Sequence, residues 1–340
     1  MDSMDSKGGA RRALLKAGAG MGLAGLAAPL AWAAPAPQET LKDTLKGTLK
    51  STVLRVGTYK GGDTYYFNEA GVAQLPYRTD VAEFSAGNLI VEALSAGSLD
   101  FGGMSEIPPI FALAGNAPMK VIAVLKGDVN NQVVLVPKDS KLTDAAQFKG
   151  KRIGFARSTT SHYFLLRLLQ ERGLAFKDIT PVPLSPQDGL AAFRSGQLDA
   201  WVIYGLVVEL AKQGGARVFR TADGYLSGNY VLSAATKAIA DPAKHAAIGD
   251  YLGRVAKVYD WMNRNPEKWA ARSGQIAGVS PELFLAQTRH RSQPYKLVKV
   301  DDAAIRSQQE VADTFAAAGL LARRLDVTPV WDRSFSKFLA

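Results

Sequence analysis

Cysteine is absent from the 340-residue chain. That excludes disulfides, thiolate metal ligands and the anchor cysteine of a lipoprotein. Histidine is nearly absent too: His162, His245 and His290 are the three present, none paired with a second histidine or a glutamate at zinc spacing. No Gly-x-x-x-x-Gly-Lys-Ser/Thr loop occurs, so phosphate-loop nucleotide chemistry has no carrier. Gly103-Met104-Ser105-Glu106-Ile107 lacks the second glycine of a nucleophile elbow. Gly20-Met21-Gly22-Leu23-Ala24-Gly25 has dinucleotide-binding spacing, but no strand precedes it, so the match is coincidental. With no activated nucleophile and no metal or cofactor site, the chain reads as a non-enzyme, an exported hydrolase being the rival class.

What is present begins with an export signal. Lys7, Arg11, Arg12 and Lys16 precede the apolar run Ala17 to Trp32, which closes on the small-x-small triplet Ala31-Trp32-Ala33. This pattern is a cleaved signal peptide over residues 1–33 and places the mature protein in the periplasm. Arg11-Arg12-Ala13-Leu14-Leu15-Lys16 resembles the twin-arginine motif, with Ala10 where Ser or Thr is usual. No later run is long and apolar enough to span a bilayer. Residues 34–52, with Thr-Leu-Lys repeated at Thr40, Thr44 and Thr48, read as a solvated linker. The remainder has a globular composition, 47% hydrophobic and 21% charged, and the whole chain carries a net charge of +10. A basic balance favours anionic ligands, whereas scattered Lys and Arg in an exported chain argue against nucleic acid.

Two stretches repeat one another. Arg55-Val56-Gly57 recurs as Arg152-Ile153-Gly154, and Gly97-Ser98-Leu99-Asp100 as Gly196-Gln197-Leu198-Asp199, in the same order at nearly the same separation. Two copies of one α/β unit are implied, each with a glycine closing a helix and Leu-Asp leading into a strand. The expected fold is therefore α/β with two lobes, each a mixed sheet flanked by helices. Lobe 1 is drawn over 53–134 plus 230–340 and lobe 2 over 135–229, with crossings at Pro137-Lys138-Asp139-Ser140 and near Asn229-Tyr230-Val231-Leu232.

Candidate ligand residues follow from strand ends, because open α/β sheets bind solutes beyond the carboxyl ends of their strands. After the strand read over Lys151 to Ala156 come Ser158-Thr159-Thr160-Ser161-His162 and an apolar-faced helix. A helix start offers unpaired N–H groups and a positive dipole end, and a run of hydroxyls beside it suits a small oxyanion. Ser105, before Glu106-Ile107-Pro108, reads as a second helix start in the other half. Lys60 lies beyond the first strand. Tyr65, Tyr66, Tyr204 and Tyr230 could cover an organic tail, and Arg291 stands in the basic cluster Arg289-His290-Arg291.

These residues resemble a family: periplasmic substrate-binding proteins of ABC importers, in the aliphatic sulfonate, taurine and sulfate-ester branch. The likeness rests on Leu99-Asp100-Phe101-Gly102 running into Pro108-Pro109-Ile110-Phe111-Ala112, on Phe148 to Gly154, on Ser161-His162-Tyr163 and on Ser195 to Trp201. It implies a type II two-lobed binding protein, monomeric, that delivers a small anionic organosulfur solute to an inner-membrane permease. The family's head-group positions fall on Lys60, Ser105, Thr159, Thr160, Ser161 and His162. Relatives often read Trp-Asp-Pro where this chain has Tyr204-Gly205-Leu206, so a carboxylate that could pair with taurine's ammonium is missing and an uncharged tail is expected. Nitrate, bicarbonate and a thiamine-precursor pyrimidine are rival solutes, the last requiring stacking aromatics and a carboxylate.

Overall fold

Eleven strands form among the described residues, which in this computed structural model are 47 and 49–339. The expected signal peptide and most of the expected linker lie outside them. The strands are β1 (Val53–Thr58), β2 (Arg78–Glu83), β3 (Phe101–Ser105) and β4 (Met119–Lys126), then β5 (Gln132–Val136), β6 (Arg152–Phe155), β7 (Thr180–Pro183) and β8 (Ala200–Tyr204). β9 (Arg217–Thr221), β10 (Asn229–Ala235) and β11 (Lys296–Val298) complete the set. Central strands such as β5 are buried throughout, as continuous Val/Leu runs covered on both faces must be. β7, with Pro181 and Pro183, sits at a sheet edge, where missing N–H donors cost no ladder bond.

One sheet runs β11-β4-β10-β3-β1-β2 and the other β7-β6-β8-β5-β9. In the first, β1 is parallel to β2 and β3, and β10 joins β3 antiparallel. In the second, β6 is parallel to β7 and β8, and β5 joins β8 antiparallel. The two sheets thus share one plan, and each takes its antiparallel strand from chain that has just arrived from the other lobe.

The repeated residues are the physical basis of that plan. Arg55 donates from N, Nε and NH2 to the Asp100 carboxylate and from NH1 to Gly97 O; Arg152 donates from N, Nε and NH2 to the Asp199 carboxylate and, also from NH2, to Gly196 O. A Cβ at Gly57 would lie 2.5 Å from Leu99 Cδ1, and one at Gly154 would lie 2.5 Å from Leu198 Cδ1. Each copy therefore needs glycine where the helix-to-strand turn packs on the first strand.

The first lobe's core gathers Leu54, Val56, Phe101 and Val121–Val124 with Tyr251, Leu252 and Val255 from the helix Pro242–Arg264. The second gathers Phe148, Phe155, Phe164, Leu165 and Leu168. A third cluster joins them: Ile107 and Ile110 of the first lobe, Tyr163 and Leu166 of the second, and Val311 and Phe315 of the helix Asp302–Ala317. The chain end docks as Val330-Trp331 and buried Phe335 lie on the first lobe, Trp331 pairing with Val121.

The lobe boundaries differ from expectation. β5 belongs to the second sheet, so the first crossing is residues 127–131, not Pro137 to Ser140. Asp128 is the reason: 2% exposed, it accepts N–H bonds from Asn130, Asn131 and Ser292 and so fixes the turn. Likewise Asn229-Tyr230-Val231-Leu232 is not the return crossing but the start of β10, and the crossing precedes it.

Candidate functional site

A cavity of about 430 Å³ lies at the carboxyl ends of β1, β3 and β8 and at the arriving ends of β5 and β10. Both lobes line it. The first contributes Gly57 to Tyr59, Gly61 to Asp63, Tyr66, Ser85 to Gly87, Gly103 to Ser105 and the helices beyond β10; the second contributes Gln132, Thr159, Thr160, Tyr204 and Gly205.

In the second lobe the loop after β6 is held by its own side chains. Ser158 adopts φ 57°, an uncommon left-handed conformation for a residue with a Cβ. Its N–H donates to His162 Nδ1 at 3.2 Å. Thr159 caps the helix Thr160–Glu171, accepting from Ser161 N, and donates from Oγ1 to Ala156 O at 2.8 Å. Ser161 is 2% exposed; its Oγ accepts from Ala156 N at 3.0 Å and donates to Ala156 O at 3.3 Å. Of the four hydroxyls, Thr160 is therefore the one that lines the cavity with no side-chain bond among the described residues.

Ser161 and His162, expected to touch an anion, do not line the cavity. His162 is buried among Phe155, Phe176 and Phe315. Burial, then the charge of Arg157, lowers its pKa to about 4, so the ring is neutral. It positions the loop through Ser158.

Ser105 lines the cavity, but as the last residue of β3. The helix after it begins at Pro108-Pro109 with no side-chain cap, and two prolines at its start remove two N–H donors. The expected helix-dipole site at Ser105 is thus replaced by a lone hydroxyl. Two other helix starts take its place. The helices Gly87–Ser95 and Leu206–Gln213 both begin at the cavity, after Ala86 and Gly205, and neither has a side-chain cap. A helix start without a side-chain cap leaves first-turn N–H groups for a ligand oxygen, although Gly205 N already donates to Asn131 O and Val208 N to Gly205 O. Gly205, at φ 79°, stands where an aspartate would cap that helix itself and repel an anion. Sequence reading missed Gly87 and Gly205 because a glycine at a helix start advertises no donor.

The remaining wall is aromatic: Tyr59, Tyr66, Phe101, Tyr204, Tyr230, Tyr259, Trp269 and Tyr295. Tyr230 donates to Asp128 O at 2.9 Å and accepts from Gln132 Nε2 at 3.1 Å, linking the start of β10 to the first crossing and to β5 at the cavity edge. Burial, then the charge of Tyr204, raises the Tyr59 hydroxyl well above its usual range, so it stays a donor. Among the described residues that line the cavity, the expected cations Lys60 and Arg291 do not appear. Lys60 is exposed beside it. Arg291 lies behind the wall, over the rings of Tyr295 at 4.9 Å and Trp269 at 5.8 Å, and donates to Asn263 Oδ1. Tyr65 turns to Glu83 instead of the cavity.

Glu106, next to Ser105, was not singled out from the sequence, yet it ties the end of β3 to β10 and to the helix Asp302–Ala317. Its carboxylate accepts from Ser227 before β10, from Asn229 and from Ser307 of the helix Asp302–Ala317, while Gln308 donates to its carbonyl. Burial raises its pKa to about 7 against the pull of those donors.

The NMT1/THI5-like family profile matches residues 55–269, more than half of the chain. The chain belongs to this family. A putative aliphatic sulfonates-binding protein of Escherichia coli (strain K12) is 32% identical over 247 residues, covering 72% of this chain and 76% of that one. The alkanesulfonate-binding protein SsuA of Xanthomonas axonopodis pv. citri, solved bound to MOPS, superposes with a TM-score of 0.75 at 29% identity, covering 84% of this chain and 99% of its own. The periplasmic aliphatic sulphonate binding protein SsuA of Escherichia coli gives a TM-score of 0.73 at 28% identity, covering 83% and 92%. With these NMT1/THI5-like relatives the chain shares the two-lobed periplasmic binding-protein fold, and the names of all three describe binding.

Proposed function

We propose that this protein is the periplasmic solute-binding component of an ABC importer and that its solute is an aliphatic sulfonate or sulfate ester. The observation that carries the reading is the meeting of three helix starts from both lobes, at Gly87, Thr160 and Gly205, on one cavity. A sulfonate is ionised at neutral pH and only accepts hydrogen bonds, so N–H groups with the hydroxyls of Ser105, Thr160 and Tyr59 match it. The aromatic lining suits an organic tail, and a cavity of about 430 Å³ exceeds what nitrate or bicarbonate fills. The protein performs no chemistry on the solute. Contact with both lobes favours the closed state, and an inner-membrane permease receives the solute from it. Calorimetry of the purified protein against alkanesulfonates, sulfate esters, nitrate and bicarbonate tests the proposal. Binding confined to the inorganic anions, or turnover of an arylsulfate, overturns it.

A second reading, an aminopyrimidine solute, is favoured by the aromatic lining together with Asp63, a carboxylate on the cavity wall. It predicts that a 4-aminopyrimidine binds and no sulfonate does.

A further inference from the structure

Among the described residues, Asp63 is the one carboxylate of the lining, and no lysine, arginine or histidine joins it there. The formal charge that the described residues put on the wall is therefore negative, in a cavity whose helix ends favour an anion. A ligand carrying a negative charge alone leaves Asp63 uncompensated, whereas a ligand with both signs satisfies both ends. Resting on the sulfonate reading above, we propose that the solute is a zwitterion, a sulfonate whose tail carries a protonated or quaternary amine, and that Asp63 is the residue that selects for the cation.

The surroundings of Asp63 fit that role. It opens the 3-10 turn Asp63–Tyr66, and Oδ1 accepts from Thr64 N at 2.9 Å. Among the described residues no ion pair reaches it, and the donors to its carboxylate are the backbone N–H groups of Thr64 and of Asp63 itself. Burial raises its carboxyl to about 6, so at neutral pH it is ionised while partly stripped of water, a state that an arriving cation stabilises. Its charge reaches the first lobe's helices: burial first, and then Asp63, pushes the hydroxyls of Tyr259 and Tyr251 upward. Tyr66, Tyr259, Trp269 and Tyr295 line the same cavity, with Tyr259 and Tyr295 rings 5.5 Å apart. Aromatic faces beside a carboxylate are the surroundings in which an alkylammonium group is held without full hydration. The carboxylate missing at Gly205 is thereby supplied from the other lobe, and the uncharged tail expected from the sequence is replaced by a cationic one.

The test compares 3-aminopropanesulfonate and its trimethylammonium analogue with 1-butanesulfonate, whose chain is matched in length, by calorimetry on the wild-type protein and on Asp63→Asn. Asparagine keeps the bond from Thr64 N, and thermal melting checks that the variant folds. The wild type is expected to bind the cationic sulfonates about tenfold or more tightly than butanesulfonate, since a desolvated charge pair is formed. Asp63→Asn should abolish that preference while leaving butanesulfonate binding equal or tighter. Equal wild-type affinity for all three ligands overturns this inference and leaves the sulfonate reading standing, as does a variant that weakens all three alike. Binding of a 4-aminopyrimidine with no sulfonate bound overturns both. Should the variant fail to fold, the wild-type ratio alone decides.

Discussion

The two lobes carry the same clasp in different settings. Asp100 is 2% exposed and receives Lys244 as well as Arg55, because the helix Pro242–Arg264 packs over the first copy. Asp199 is 32% exposed and holds Arg152 alone. Burial acts to raise the Asp100 carboxyl, but the bonds from Arg55 and Lys244 outweigh it and the pKa falls. One frame has thus been loaded unequally. The first lobe bears the later helices, the docked chain end and most of the aromatic wall, while the second presents a small, self-braced loop to the ligand. The comparison teaches that a duplicated scaffold fixes where strand ends point, and that what is added to each copy decides what they hold.

The largest effect that tests this contrast is on stability. Asp100→Ala strands two cations against the first lobe and should cost about 3 kcal/mol in urea unfolding, whereas Asp199→Ala removes a half-exposed pair and should cost under about 1 kcal/mol. Equal costs would break the contrast between the copies. Next come the two hydroxyls of the second lobe's loop. Thr160→Ala should weaken sulfonate binding by about 2 kcal/mol at unchanged stability, since one donor to a charged group is lost. Ser161→Ala should instead cost about 1 to 2 kcal/mol of stability, leaving Ala156 N unpartnered. Calorimetry and melting of the two variants separate the roles, and reversed outcomes would place the anion at Ser161.

A smaller effect is expected in the pH dependence. His162 has its pKa lowered from 6.5 to about 4, so the unfolded chain binds the extra proton between those values and stability falls as pH drops through that window. Glu106 has its pKa raised from 4.5 to about 7, so the folded protein binds the extra proton and stability falls as pH rises through that window. The slopes oppose one another. His162→Phe should remove the acid-side loss and Glu106→Gln the neutral-side loss, tilting the pH profile of the melting temperature in opposite directions. Profiles that tilt the same way would contradict the assignment.

Much of the fold was legible because the repeated residues touch one another. Arg55, Gly57, Leu99 and Asp100 form one contact set, as do Arg152, Gly154, Leu198 and Asp199, so the repeat in sequence is a repeat of packing. β6 was read to within one residue at each end because its apolar run ends at polar loop residues. β9 and β11 were not, since short strands with exposed positions carry no periodic signal. The first crossing was misplaced because Pro137 is a louder breaker than Asp128, whose effect depends on distant Ser292. At the site, Thr159 and Thr160 could be read from a local run of hydroxyls. Asp63 could not, because a polar residue in a glycine-rich turn looks the same whether it faces solvent or a cavity.

The central claim is that one negatively charged group bridges helix starts belonging to both lobes. Crystals of the protein grown with an alkanesulfonate, with the sulfur located by its anomalous signal, test it most directly. The account predicts the sulfur between the N–H groups that open the helices Gly87–Ser95 and Leu206–Gln213, with Thr160 Oγ1 donating to one oxygen. Sulfur held by one lobe alone, or bound outside the cavity at Lys60 or Arg291, would contradict it.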